Sequence, residues 1–267
     1  MKKIKILVAN PSGNITIFVL TPCEQKDYQS IARSLLGYKE LKGEQVGFIK
    51  KIGKENSLEM AGMEFCGNAG RAFGLYCAKS QNITESTDVV IRETGTAQVL
   101  NVEVNPQTNY TKIKMPAPVR ILPWNIPNLK LEKEPILVDL GGIIHVVLRD
   151  VVPSQAIFEQ VKKVLYAKEQ PAAMGTIFIN TKTYAMVPIV YAQAVNTTYW
   201  EGSCGSGSQA TAVALSWLNK SSDGEFSYIL KQPAGMITAS VEKRNGKIQA
   251  SCIEGTVELS AVQEIEI

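Results

Sequence analysis

Met63-Glu64-Phe65-Cys66-Gly67-Asn68-Ala69-Gly70 and Trp200-Glu201-Gly202-Ser203-Cys204-Gly205-Ser206-Gly207 share one plan. A carboxylate stands two or three residues before a cysteine, glycine-rich chain follows, and a helical pattern opens. After Cys66 the apolar positions Ala69, Ala72, Phe73 and Tyr76 recur at i, i+3, i+4 and i+7, and Ala210, Val213, Ala214, Trp217 and Leu218 do the same after Cys204. Both cysteines are therefore placed where a helix begins. Unpaired amides and the positive end of the helix dipole favour a thiolate there and can also hold a carboxylate. Two such turns in one chain suggest a facing pair of acid/base groups.

The 267 residues suit two domains, and 45% hydrophobic with 20% charged residues is ordinary for a globular protein. The net charge of +3, spread over scattered lysines, gives no reason to expect nucleic acid as a partner. No apolar run approaches the ~20 residues that cross a bilayer, so no membrane span is expected. Met1-Lys2-Lys3-Ile4 leads into a strand pattern rather than a signal peptide, which predicts a cytoplasmic protein. Five cysteines in that setting are expected to be thiols. His145 is the only histidine and no Cys-x-x-Cys pair occurs, so no metal site is expected, and no motif marks a lysine for pyridoxal phosphate, so no cofactor is expected. Chemistry must rest on Cys, Glu, Asp, Lys or Tyr.

Strands are predicted at Lys5–Val8 and Ile15–Leu20 around the Asn10–Asn14 turn, at Gly43–Ile49, and at Asp88–Ile91 with Ala97–Val102. A helix is predicted over Asp27–Leu36. Prolines 116, 118, 123, 127 and 135 mark a linker. The order then recurs: strands at Pro135–Leu140 and Ile143–Leu148, a helix over Ser154–Leu165, strands at Thr176–Ile179 and Met186–Tyr191, the second cysteine turn with its helix, and strands at Phe226–Leu230 and Ile237–Val241. Gly95 lies 29 residues after Cys66 and Gly235 lies 31 after Cys204, a spacing that suggests duplication, each half carrying one cysteine to a shared cleft.

These motifs resemble the diaminopimelate epimerase superfamily of cofactor-independent amino-acid racemases and epimerases. The resemblance rests on Gly13-Asn14, Val46-Gly47, Glu64-Phe65-Cys66-Gly67-Asn68, Thr94-Gly95, His145 and Ser203-Cys204-Gly205-Ser206-Gly207. It implies an α+β fold of two pseudo-symmetric epimerase-like domains, residues 1–118 and 119–267, each a barrel-like, mostly antiparallel sheet around a central helix. The epimerase has Ala-Asp-Gly where this chain has Gln45-Val46-Gly47, and Asn-Pro where it has Ile143-Ile144. Its carboxylate-gripping arginine falls at Val195-Asn196-Thr197, and no arginine occurs between Arg149 and Arg244. Asn10–Ile17, Glu44–Ile49 and Trp200–Gly207 look more like the histidine racemases of nicotianamine-like metallophore biosynthesis.

The resemblance implies that Cys66 and Cys204 are the catalytic pair, one removing and one delivering the α-proton. The amides of Gly67, Asn68, Gly205 and Ser206 are expected to take the substrate carboxylate. Asn14 is expected either to bind substrate or to serve its turn, Asn68 to bind or to cap its helix, and Glu44 and Glu201 to meet the ammonium or an imidazole. Glu64 is expected to order its own turn and His145 to be a satisfied buried residue, while Cys23, Cys77 and Cys252 have no such setting. The partner is an amino acid, and a homodimer is compatible with the sequence. Diaminopimelate or another amino acid as substrate, or a binding protein on the same fold, remain the alternatives.

Overall fold

Alternation of buried and exposed positions turns most of the chain into strands, as in Thr87–Glu93, where Val89, Ile91 and Glu93 face inward. A computed structural model describes residues 3–53, 55–127, 129–193, 196–220 and 223–267. Met1, Lys2 and Val195 lie outside them. The chain forms two compact units, residues 1–114 with 254–267, and residues 115–253.

In the first unit β1 (Lys3–Asn10) and β2 (Thr16–Val19) form the expected antiparallel hairpin, Val8 opposite Ile17. α1 (Tyr28–Leu36) buries Tyr28, Ile31, Ala32 and Leu35 against Ile4, Ile6, Val46 and Phe48. The chain continues as β3 (Gln45–Lys51), parallel to β2, and β4 (Asn56–Met60). It then enters α2 (Gly67–Ser80), followed by β5 (Thr87–Glu93), β6 (Leu100–Asn105) and β7 (Tyr110–Met115). The sheet order is β7-β6-β5-β4-β3-β2-β1. α2 packs on β5 and β6. Gly74 allows that approach, because a Cβ there would stand 2.6 Å from Val102 Cγ1.

In the second unit the proline-rich passage is not bare linker. β8 (Arg120–Pro123) forms inside it and pairs with β9 (Ile136–Asp139). It is the outer strand of its sheet, where the missing proline N–H is tolerated. β10 (Ile144–Arg149), α3 (Gln155–Tyr166), β11 (Ala173–Ile179), β12 (Met186–Ala192) and β13 (Thr197–Trp200) follow. α3 buries Phe158, Val161 and Leu165 in a core with Val146, Phe178 and Ile189. Next comes α4 (Gly205–Leu218), then β14 (Gly224–Gln232), β15 (Gly235–Arg244) and β16 (Lys247–Thr256).

The chain ends in β17 (Glu258–Leu259) and β18 (Gln263–Glu266), both paired with β1. Where the sequence carried the second half to residue 267, residues 254–267 cluster with the first unit, because these terminal strands complete the β1 edge. Among the described residues no helix is long and apolar enough to cross a membrane.

Candidate active site

Cys66 and Cys204 have the same local geometry. Each is the N-cap of a 14-residue helix, with φ −131° and ψ 100° at Cys66 and φ −127° and ψ 113° at Cys204. The extended N-cap turns its side chain back over the first helical amides, where side-chain acceptors are stabilised. The Gly207 amide donates to Cys204 Sγ at 3.3 Å, and the equivalent amide of Ala69 favours a thiolate at Cys66. Among the described residues the cysteines form no disulfide.

Around Cys66 the first unit assembles Asn14, Glu44 and Asn68, three of the residues singled out from sequence. Asn14 Nδ2 donates to Glu44 Oε2 at 2.7 Å, and Asn68 Nδ2 donates to Asn14 Oδ1 at 3.3 Å. The left-handed conformations of this turn fall on Ser12 (φ 64°) and Gly13 (φ 97°), so Asn14 is not there for its backbone. Gly67 is the first helical residue. Burial pushes the Glu44 carboxyl above the usual range, and the Asn14 bond opposes it. Glu64 bonds its own turn, through its own and the Gly62 amides.

The sequence did not single out four further members of this network. Gln45 Nε2 lies 3.2 Å from Cys66 Sγ, 2.9 Å from Asn14 Oδ1 and 2.8 Å from Thr16 Oγ1. Glu93 Oε1 accepts the Cys66 amide at 2.9 Å. Arg71 is fully buried and donates through Nε to Asn68 Oδ1 at 3.1 Å. Burial pushes the Cys66 thiol up, an ionised Glu93 would add to that, and the Gln45 amide opposes it.

In the second unit Cys204 meets Glu201 and Ser206. Burial pushes this thiol well up, and the adjacent Glu201 carboxylate raises it further by charge and by accepting from it. Ser206 Oγ lies 3.5 Å from Cys204 Sγ and 2.9 Å from His145 Nε2. Gly205 opens the helix. Gln232 Oε1 accepts the Cys204 amide at 2.7 Å, as Glu93 does for Cys66. The one signal for this pair was position. Glu93 and Gln232 each end the strand after a cysteine helix, just before Thr94-Gly95 and Pro233-Ala234-Gly235.

His145 is buried and bonded through Nε2, while Nδ1 has no partner among the described residues. Its strand partner must be Gly175, since a Cβ there would fall 2.2 Å from Nδ1. Burial pushes the imidazole from 6.5 down to about 3. The unfolded chain therefore binds a proton in this window that the folded chain does not, and stability falls as pH drops through it. The wild-type stability minus that of His145→Gln, from urea unfolding, should therefore rise by about 1.4 kcal/mol per pH unit as pH increases through this window. A difference that stays flat across the window would show that His145 is protonated when folded.

Comparison with known proteins matches this chain over nearly its whole length. The family model described as the histidine racemase CntK N-terminal domain covers residues 3–265. A histidine racemase of Fusobacterium nucleatum is 31% identical over 268 residues, 97% of this chain and 94% of that one. A histidine racemase of Staphylococcus aureus is 23% identical over 259 residues, 93% and 92% of the two chains. Among solved structures, a protein described as a predicted epimerase from Pseudomonas aeruginosa superposes with TM-score 0.72 at 11% identity, covering 99% of both chains. A hydroxyproline epimerase from Agrobacterium vitis gives 0.67 at 12% identity, covering 98% of this chain and 92% of that one. The fold is thus the sheet-rich α+β fold of the epimerases. The chain belongs to the histidine racemase family, and it is an isomerase.

Proposed function

We propose that this protein interconverts L- and D-histidine without a cofactor, with Cys66 and Cys204 as the two proton-transfer groups. The observation that carries the reading is the repeated N-cap cysteine: the same backbone geometry, at the start of two helices, in a chain matched end to end by histidine racemases. Inverting Cα requires removal of a proton from one face and delivery to the other. One thiolate and one thiol do this and exchange roles in the reverse direction.

The anionic intermediate needs charge stabilisation where it develops. We assign the first amides of α2 and α4, at Gly67, Asn68, Gly205 and Ser206, to the substrate carboxylate, whose oxygens take up the enediolate charge. Asn14 and Asn68 complete that donor set, and Glu44 and Glu201 are assigned to the ammonium and the imidazole. Glu44 suits this role because Asn14 Nδ2 donates to its carboxylate at 2.7 Å and so orders it. The two units are read as pseudo-symmetric halves, each with its sheet around one cysteine helix. That accounts for α2 and α4 being buried along most of their length.

The reduced protein, incubated in D₂O with L-histidine and neither pyridoxal phosphate nor added metal, should lose the Cα–H signal in NMR while optical rotation decays to zero. Exchange with another amino acid but not with histidine would overturn the substrate. No exchange with any amino acid, the thiols being free, would favour a binding protein on this fold.

A further inference from the structure

The two cysteine sites match in backbone and differ in charge. Two interior side chains back each site. One comes from the helix, five residues past the cysteine: Arg71 in the first unit and Gln209 in the second. The other accepts the cysteine's own amide from a later strand, 27 residues on at Glu93 and 28 on at Gln232. Ionisable groups thus occupy both positions behind Cys66, and neutral amides occupy both behind Cys204.

Arg71 is held by neutral acceptors. Besides Asn68 it donates to Ser12 Oγ at 2.9 Å and to the Gly255 carbonyl at 3.1 Å, and it reaches Thr111 Oγ1 and the Thr256 carbonyl at 3.5 Å. Among the described residues no carboxylate lies within 4 Å of it. A buried cation without a counter-charge is costly, and an anion forming nearby offsets that cost. Cys66 is placed to be that anion: Arg71 is joined to it through Asn68 and Asn14, whose Oδ1 lies 3.8 Å from Cys66 Sγ, and a thiolate there supports the arginine against burial.

Glu93 does not take this role. It is buried, its Oε2 has no partner among the described residues, and burial pushes its carboxyl well above the usual carboxylate range, which favours the neutral form. Glu64 also bears on Cys66 and raises it, as the smallest of the influences on that thiol. Glu44 reaches the thiol only through Asn14, and Gln45 donates to it. Tyr110 faces Arg71 with its proton retained. Opposite conditions hold at Cys204. Glu201 opposes ionisation, His145 stays neutral and reaches only Ser206, and Gln209 spends its amide on the Pro116 carbonyl and Ser251.

We infer that Cys66 ionises before Cys204, so that Cys66 is the resident base and Cys204 the resident acid, and that Arg71 is the positioning residue that makes the two thiols unequal. The inference rests on the two-thiol reading above. Proton balance follows directly. Cys66 S⁻ takes the α-proton, Cys204 S–H gives one to the opposite face, and turnover ends with Cys66 protonated and Cys204 ionised. That is the starting form for the reverse direction.

Iodoacetamide alkylation of the substrate-free protein, resolved by cysteine with mass spectrometry from about pH 6 to about pH 11, tests this without turnover. Midpoints are compared rather than rates, because Cys204 is the less exposed. Cys66 should titrate at least about one pH unit below Cys204. Arg71→Gln should move the Cys66 midpoint up by about a unit or more and leave Cys204 in place, while Arg71→Lys should hold it near wild type. Glu93→Gln, which keeps the acceptor for the Cys66 amide, should leave the midpoint unchanged.

Cys204 titrating first, an unmoved Cys66 midpoint in Arg71→Gln, or a fall of that midpoint in Glu93→Gln would each overturn the assignment. Should Arg71→Gln fail to fold, the wild-type order and Glu93→Gln still decide. Racemisation by the two cysteine variants separates the premises. If both are inactive but the thiol order is reversed, only the assignment falls; if either remains active, the two-thiol reading itself falls.

Discussion

Cys66→Ser or Cys204→Ser should lower racemisation at least about a thousandfold, while the circular-dichroism spectrum and the urea midpoint stay near wild type. Serine keeps the helix cap, because its hydroxyl accepts from the same amide, and serine is among the preferred N-cap residues. What it loses is a group that can be a base. A thiol ionises near pH 8.5 when unperturbed, and no serine hydroxyl competes with that near neutral pH. Since inversion needs both a base and an acid on opposite faces, removing either group stops the same step. The double variant should therefore be no slower than the slower single one. The variants should still differ in one respect: in D₂O each remaining cysteine can exchange the α-proton of only the enantiomer that presents it, so wash-out should be selective and opposite in the two proteins. Near-normal racemisation by either variant would sink the mechanism.

The cysteine turns were legible because their signals are local. A cysteine followed by glycine and an apolar stretch of period 3.6 marks the start of a helix within eight or so residues, and both helices begin at Gly67 and Gly205 as read. The Asn10–Asn14 turn between two apolar strands gave the first hairpin on the same grounds. Arg71 shows where such reasoning stops. Within its own helix it looks like a solvated cation, and its burial is decided by Ser12, Thr111 and Gly255, which are 59, 40 and 184 positions away. Gln45 is aimed at Cys66 by the parallel pairing of β2 and β3, which no short window contains. β8 was hidden by its own prolines, and β17 and β18 by their distance from β1. Histidine as the substrate came from family resemblance, since side-chain selection depends on a few pocket residues that no local pattern positions.

Gly95→Ala should be among the most damaging single-methyl additions to this chain. Gly95 was expected as a hairpin glycine, and its φ of +77° does require one. Its larger role is to let the loop lie against the cysteine turn. A Cβ at this position would stand 2.0 Å from the Phe65 nitrogen and 2.4 Å from the Glu64 carbonyl carbon. Both are backbone atoms, so no rotamer change relieves the contact. Next to it Thr94 Oγ1 donates to the Glu64 carbonyl at 3.1 Å and accepts the Met60 amide at 2.9 Å, fastening the loop to both ends of the turn that carries Cys66. The methyl group must therefore push the Glu64–Phe65 backbone away from the loop, and Cys66, the next residue, with it. About 1 kcal/mol is lost to the strained φ and roughly 1–3 kcal/mol to overpacking, so a stability loss of about 2–4 kcal/mol is expected in urea unfolding. Even where the variant is fully folded, displacing the base by about 1 Å should lower kcat roughly a hundredfold. Gly53→Ala separates the two costs, because its φ of +120° carries strain but its Cβ would meet nothing within 4 Å. It should lose stability and keep activity. Gly95→Ala with unaltered turnover would mean that the position of Cys66 is not set by this loop, leaving the helix cap and the Glu93 bond to hold it.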